Sequence, residues 1–338
     1  MGSLCKVNLE DLKYAIKKID YWYKKNIRFL TIITVPFNTS CIFSNIVSQI
    51  SNNGGNILYV WGKKGENREL ISSIKEFDSN ITHSYIESGN AATKLTFVNY
   101  KNLFQIKGEY DLVIFDDITY FSNLSNVAII EFLDICSRLG GRVLLYSIEK
   151  VALIGEKFEL AAYNYNQPFL EPRIITTRID LNEDIPYSLY DYLKWFKDNN
   201  HKVCIYVPDK EKLEIVYDYF QNKLKLSDVR VIKVSKQDEI KRCERVSKYK
   251  DKAIFVITNK IEELLEYCYV DDAVVLFSDH ERYTYKKILY ICGQMRKINA
   301  KLPEVLLVSN FISNDMEKAK DMARDFNKKV WEKRLREV

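Results

Sequence analysis

Glycine is scarce in this sequence, 11 of 338 residues, about 3% where roughly 7% is usual. Few positions can therefore take a positive φ cheaply or let a ligand close to the backbone. The pattern G-x-x-x-x-G-K-[ST] is absent, because the one Gly-Lys step, Gly62-Lys63, runs into Lys64. Gly54-Gly55, Gly62, Gly65 and Gly140-Gly141 lack the spacing of G-x-G-x-x-G. Both standard phosphate loops are excluded. Seven cysteines (Cys5, Cys41, Cys136, Cys204, Cys243, Cys268, Cys292) lie singly with no C-x-x-C pair. That pattern fits reduced thiols in a cytosolic protein rather than a disulfide framework or a zinc knot. His83, His201 and His280 are too dispersed for a metal cluster, so no metal site is expected. No apolar run reaches the ~18 residues of a membrane span, and no signal peptide is read at the N-terminus, which places the chain in the cytoplasm. The net charge of +5, from 51 basic and 46 acidic residues, permits a local nucleic-acid patch without arguing for one.

What the chain has in quantity is short apolar runs separated by stretches of helical period. Strands are expected at 29–35, 57–61, 95–98, 111–115 and 142–147 in the first half. In the second half they are expected at 173–179, 202–207, 229–234, 253–257, 272–277 and 304–309. Runs such as Leu112-Val113-Ile114-Phe115 are apolar on both faces, as in a parallel sheet covered by helices on each side. The class is α/β, in two halves of five or six strands each. Tyr163–Pro172, with two of the six prolines and no periodicity, reads as the linker between them. A helix is expected over about 8–25, its lysines forming a solvated face. A second, over 314–337, carries Met316, Ala319, Ala323, Phe326 and Val330 at a 3-4 spacing that suits packing on a core.

Asp111-Leu-Val-Ile-Phe-Asp116-Asp117 is the strongest local signal for chemistry. Acids at the carboxyl end of a buried parallel strand are how nucleotide hydrolases present carboxylates to Mg²⁺ and to the attacking water. The same two acids also suit a turn that caps the next helix. After the first strand, where a glycine loop with lysine would belong, stands Pro36-Phe37-Asn38-Thr39-Ser40-Cys41. Asn38, Thr39 and Ser40 suit helix capping, with backbone amides that hold an anion only weakly.

The order of motifs resembles that of superfamily-two helicases, and within them the late-competence DNA-uptake ATPases of the ComFA type. Ile57–Lys64 is similar to that family's second strand and the motif after it, and Asp111–Phe121 to its Walker B segment. Arg142–Ser147 stands where the motif ending domain one would fall, and Lys202–Pro208 resembles the opening of domain two. Val274–Thr284 is similar to the V-x-V-x-G-A-D-H-x-V-F-T stretch, and Tyr290–Lys297 stands in place of Q-I-A-G-R-V-G-R. The resemblance implies two RecA-like domains, 1–165 and 166–312, followed by a C-terminal helix, 313–338. It implies Asp116 and Asp117 as catalytic carboxylates, and Asn38, Thr39, Ser40, Cys41, Gln294 and Lys297 as the nucleotide-facing positions. ATP and Mg²⁺ would be the cofactors. Arg282, Lys286, Lys287 and Thr258 would face a nucleic acid, with single-stranded DNA and cytosolic DNA-uptake or recombination proteins as partners.

The departures bear on activity. Ser40 stands for the Walker lysine, Cys41 for the Mg²⁺-binding threonine, Glu263 for an arginine, Tyr290 for a glutamine, Gln294 for the first arginine of the last motif and Lys297 for its second. Phosphoryl transfer relies on positioned cations, an arginine finger alone being worth about 10³–10⁵ in rate. The expected function is thus a helicase-like, ComFA-like protein that handles single-stranded DNA with a degenerate, weak or inactive ATPase site. Two alternatives stay open: an active ATP-dependent translocase, and a non-catalytic scaffold derived from one. Residues 281–301 hold six cations with Tyr283, Tyr285 and Tyr290 among them. They suit a nucleic-acid strand or, equally, a solvated helix with its tyrosines in the core.

Overall fold

The computed structural model describes residues 9–76, 78–151, 155–160, 168–224, 226–235, 241, 252–261, 270–298 and 303–336. The chain divides into two compact units, residues 1–168 with 329–338, and residues 169–328.

The first unit runs α1 (Leu9–Lys24), β1 (Phe29–Ile33), α2 (Ser44–Asn52), β2 (Ile57–Trp61), α3 (Arg68–Lys75), β3 (His83–Tyr85), β4 (Leu95–Asn99), β5 (Leu112–Asp116), α4 (Asn126–Leu139), β6 (Val143–Ser147) and β7 (Glu156–Glu159). Its seven strands pair in the order β3-β4-β2-β5-β6-β1-β7, all parallel. Every residue of β2, β4, β5 and β6 is buried, the result of apolar runs with helices on both faces. Helix α1 buries Asp11, Ala15, Ile19 and Trp22 at 4-4-3 spacing, and Lys13, Lys17, Lys18 and Lys24 stand in solvent.

The second unit runs β8 (Arg173–Thr176), α5 (Tyr187–Asp198), β9 (Lys202–Tyr206), α6 (Lys210–Asp218), β10 (Val229–Val234), β11 (Ala253–Thr258), β12 (Asp272–Leu276), α7 (Tyr285–Ile298), β13 (Val305–Ser309) and α8 (Asn314–Arg336). Its six strands pair in the order β10-β11-β9-β12-β13-β8, again all parallel. The fold is the expected α/β pair of parallel sheets. Met316, Ala319, Ala323 and Phe326 of α8 are buried, so this helix covers a core as its spacing indicates.

All eleven expected strands are present, but β8 stops at Thr176, short of the expected 179, and Ile179 is exposed. Two further strands, β3 and β7, lie at the two edges of the first sheet. Their sequences, His-Ser-Tyr and Glu-Lys-Phe-Glu, are short or charged, as edges often are, and carry no apolar run. Of the expected linker, 163–167 lie outside the described residues. Phe169 is buried and exchanges hydrogen bonds with the Asn327 side chain at 2.6 and 2.9 Å, so this part is packed against α8.

Gly155 shows where the scarce glycine is required, since a Cβ there would lie 2.4 Å from the Phe29 carbonyl oxygen, whereas one at Gly141 would meet nothing within 4 Å. Gly155→Ala is expected to destabilise the fold by about 1–3 kcal/mol, and Gly141→Ala to stay within about 0.5 kcal/mol. Thermal denaturation followed by circular dichroism compares the two.

Candidate functional site

β1 brings the chain to the carboxyl edge of the first sheet, between β6 and β7, where open α/β sheets bind ligands. The following turn needs a left-handed residue, and with no glycine there Phe37 adopts φ +61°, a conformation that costs roughly 1–2 kcal/mol. Its N–H donates to Ile118 O at 2.9 Å and its ring meets Phe121 edge-on, contacts that offset the strain. The residues after it are closed in: Asn38, Thr39 and Ser40 are 7, 5 and 0% exposed.

Three successive amides in this loop are bound by oxygens of the chain itself. Thr39 N–H donates to Asn38 Oδ1 at 2.9 Å, Ser40 N–H to Glu69 Oε2 at 3.2 Å and Cys41 N–H to Thr39 Oγ1 at 3.0 Å. The hydroxyls follow the same direction. Thr39 Oγ1–H donates to Glu69 Oε1, Ser40 Oγ–H donates to Glu69 Oε2 at 3.0 Å, and Cys41 Sγ lies 3.8 Å from Oε1. Behind the loop, Tyr146 O–H donates to Thr39 O at 3.1 Å and Asn38 Nδ2 to Thr34 Oγ1 at 2.8 Å. Burial, assisted by the Glu69 charge, pushes the Cys41 thiol above its ordinary value and disfavours a thiolate.

Glu69 is placed by the start of α3. Asn67 caps this helix, its Oδ1 accepting from Leu70 N–H at 3.2 Å, and Glu69 sits in the first turn, where the helix dipole favours an acid. Asn67 also donates through Nδ2 to the Tyr59 hydroxyl at 3.2 Å, and Tyr59 O–H donates to Asp116 Oδ2. Asp116 Oδ1 accepts from the amides of Ile118 and Thr119, both at 2.8 Å. One polar chain therefore runs from the β1 loop through Glu69, the first turn of α3, Asn67 and Tyr59 to Asp116.

Asp116 and Asp117 are both 1% exposed. Burial pushes the Asp116 carboxyl above its usual range, against the pull of its donors, and burial with the Asp116 charge pushes Tyr59 far up. Asp117 Oδ1 accepts from the amide and hydroxyl of Ser122, so both acids hold the turn after β5. Among the described residues no lysine or arginine forms an ion pair with Glu69 or Asp116, and no group of three or more His, Cys, Asp and Glu could hold a metal. The described residues of this unit do not fit Mg-ATP: the loop amides and the oxygens of Asp116 are bonded within the chain, and no described lysine or arginine pairs with Glu69 or Asp116.

The expected residues of the second unit divide by burial. Thr258 is fully buried at the end of β11, its hydroxyl accepting from Lys260 N–H at 3.0 Å. Arg282 is exposed as a residue, but its guanidinium donates to Pro208 O and, at 3.1 Å, to Asn259 O, joining the loops after β9 and β11. Lys286 is buried at 2%, and Lys287 is half-buried with its ammonium on Arg282 O at 3.0 Å. Tyr283 and Tyr290 are each 1% exposed, inside the core. Gln294 lies on α7 at 8% exposure. The Lys297 side chain and residues 262–269, including Glu263, lie outside the described residues. Glu69, Tyr59 and Asn67 had not been singled out in the sequence. The Asn67 cap followed by Glu69 was the available sign of a helix start there.

No family model matches the chain, and no curated protein matches it in sequence. Solved structures do match in shape. The DExH-box NTPase HrpB of E. coli aligns over 94% of this chain and 43% of its own, with TM-score 0.52 and 13% identity. A second E. coli HrpB structure, described as a DEAH/RHA helicase, aligns over 92% and 43%, with TM-score 0.50 and 11% identity. The fold is helicase-like. A DUF1998 helicase, MrfA, solved bound to DNA, aligns over 94% and 48%, with TM-score 0.50 and 12% identity. The chain spans less than half the length of each of these helicases. Among the described residues no helix is long and apolar enough to cross a membrane.

The raised Asp116 carboxyl fixes a sign. Its native value lies above 3.8, so the stability it contributes is complete below pH 3.8 and is lost as the pH rises through the native value. Asp116→Asn keeps the acceptor for both amides and removes this dependence. The stability of wild type relative to Asp116→Asn is expected to fall as the pH rises above about 4, read from urea midpoints at each pH.

Proposed function

We propose that this chain is a helicase-fold, nucleic-acid-binding protein that holds single-stranded DNA without a working nucleotide motor, in DNA uptake of the ComFA type. The observation that carries this reading is the loop after β1, whose amides at Thr39, Ser40 and Cys41 are taken by Asn38, Glu69 and Thr39. The order of motifs supports the helicase ancestry, and the likeness to DNA-bound MrfA supports DNA as the partner. On this reading residues 1–165 and 166–312 are RecA-like domains, 313–338 is a closing helix, and the protein works in the cytoplasm beside DNA-uptake or recombination proteins. Asp116 and Asp117 then shape a turn instead of holding Mg²⁺. Asn38, Thr39, Ser40 and Cys41, with Gln294 and Lys297, are former nucleotide positions.

Arg282 and Lys287 supply cations for a DNA backbone on the second unit, with Thr258 and Lys286 supporting them from within. Contacts of this kind are independent of sequence and sensitive to salt.

Fluorescence anisotropy with a labelled single-stranded oligonucleotide tests the reading. Binding is expected at ~50 mM salt and should weaken roughly tenfold or more by ~200 mM, the drop for about three phosphate contacts. Mg-ATP should leave the affinity unchanged. DNA-stimulated phosphate release that vanishes in Asp116→Ala would show an active translocase instead, and absence of binding at low salt would leave the scaffold.

A further inference from the structure

Four donors converge on the Glu69 carboxylate from one short loop: the Thr39 hydroxyl, the Ser40 amide, the Ser40 hydroxyl and the Cys41 thiol. They engage both carboxylate oxygens, and they come from positions 28 to 30 residues away in sequence. A backbone amide and hydroxyls gathered on a negatively charged pair of oxygens is the donor arrangement that binds a free oxyanion. Here the anion is a side chain, delivered from the first turn of a helix that Asn67 caps. No lysine or arginine among the described residues pairs with it, so an incoming phosphate would meet an uncompensated like charge.

We infer that Glu69 is a built-in oxyanion, which occupies the anion position of this loop, excludes phosphate-bearing ligands from it and fastens α3 to the turn after β1. This inference rests on the reading of the loop as closed. It adds that the donors remain competent and that one carboxylate decides what they bind. Without Glu69 the loop becomes a site for a small oxyanion such as sulfate or pyrophosphate.

The test compares wild type, Glu69→Ala and Glu69→Gln as full chains by thermal denaturation. Each is melted in chloride and, at matched ionic strength, in sulfate or pyrophosphate. Sulfate stabilises most proteins by exclusion, so the difference from wild type is what is read. Glu69→Ala is expected to melt several degrees below wild type in chloride and to recover most of that loss at ~10 mM pyrophosphate, by mass action on the folded state. Glu69→Gln, which keeps one acceptor oxygen, should fall between. If Glu69→Ala does not fold in chloride, refolding that succeeds only with the oxyanion supports the inference. Failure to refold in either salt, with Glu69→Gln responding like wild type, overturns it. Variants that fold yet respond to pyrophosphate no more than wild type overturn it alone, provided the wild type ignores Mg-ATP. A wild-type midpoint that rises with Mg-ATP overturns the reading of the loop as closed and the exclusion with it.

Discussion

A buried amide must find an acceptor, and in the loop after β1 three consecutive amides find theirs inside the chain. Much of the surrounding structure depends on that closure. It requires Phe37 in a left-handed conformation, stabilised by Ile118 and Phe121. It requires α3 to begin where Glu69 can reach Thr39 and Ser40, which the Asn67 cap secures. Through Asn67 and Tyr59 the same network reaches Asp116, whose second oxygen thereby gains a hydroxyl donor. A phosphate loop open to solvent would leave these amides for its ligand, and this one has none to offer.

The Ser40 amide and hydroxyl both donate to the Glu69 carboxylate. The second unit behaves alike: Arg282, in a stretch rich in cations, spans the carbonyls of Pro208 and Asn259 and steadies two strand-to-loop junctions at the carboxyl edge of its sheet. In both units polar side chains at the carboxyl edge of the sheet satisfy backbone groups of the fold. That is consistent with a helicase-like shape at 11 to 13% identity.

The sheets were legible because the central parallel strands, such as β2, β5, β9, β11 and β12, must be apolar on both faces, and even the edge strands β8 and β10 keep β-branched residues in their runs. The edge strands β3 and β7 were not, since an edge with a free side accepts His83 or Glu156-Lys157 as readily as valine. The loop was half legible. Missing glycine and lysine announced that no standard phosphate cradle existed, but the carboxylate that fills it comes from 28 to 30 residues away, a distance fixed only by the packing of α3. The cations at 282–287 were legible as a charged stretch, but the partners of Arg282 were not, since the carbonyls of Pro208 and Asn259 that it bonds lie on loops far from it in sequence.

Amide hydrogen exchange of the nucleotide-free protein, resolved at single residues, tests the closed loop most directly. The account predicts that the N–H groups of Thr39, Ser40 and Cys41 are protected to a degree comparable with the amides of β1, and that saturating Mg-ATP leaves them unchanged. Fast exchange at these three positions, slowed when Mg-ATP is added, would mean that the loop is open and waiting for a phosphate, and would contradict it.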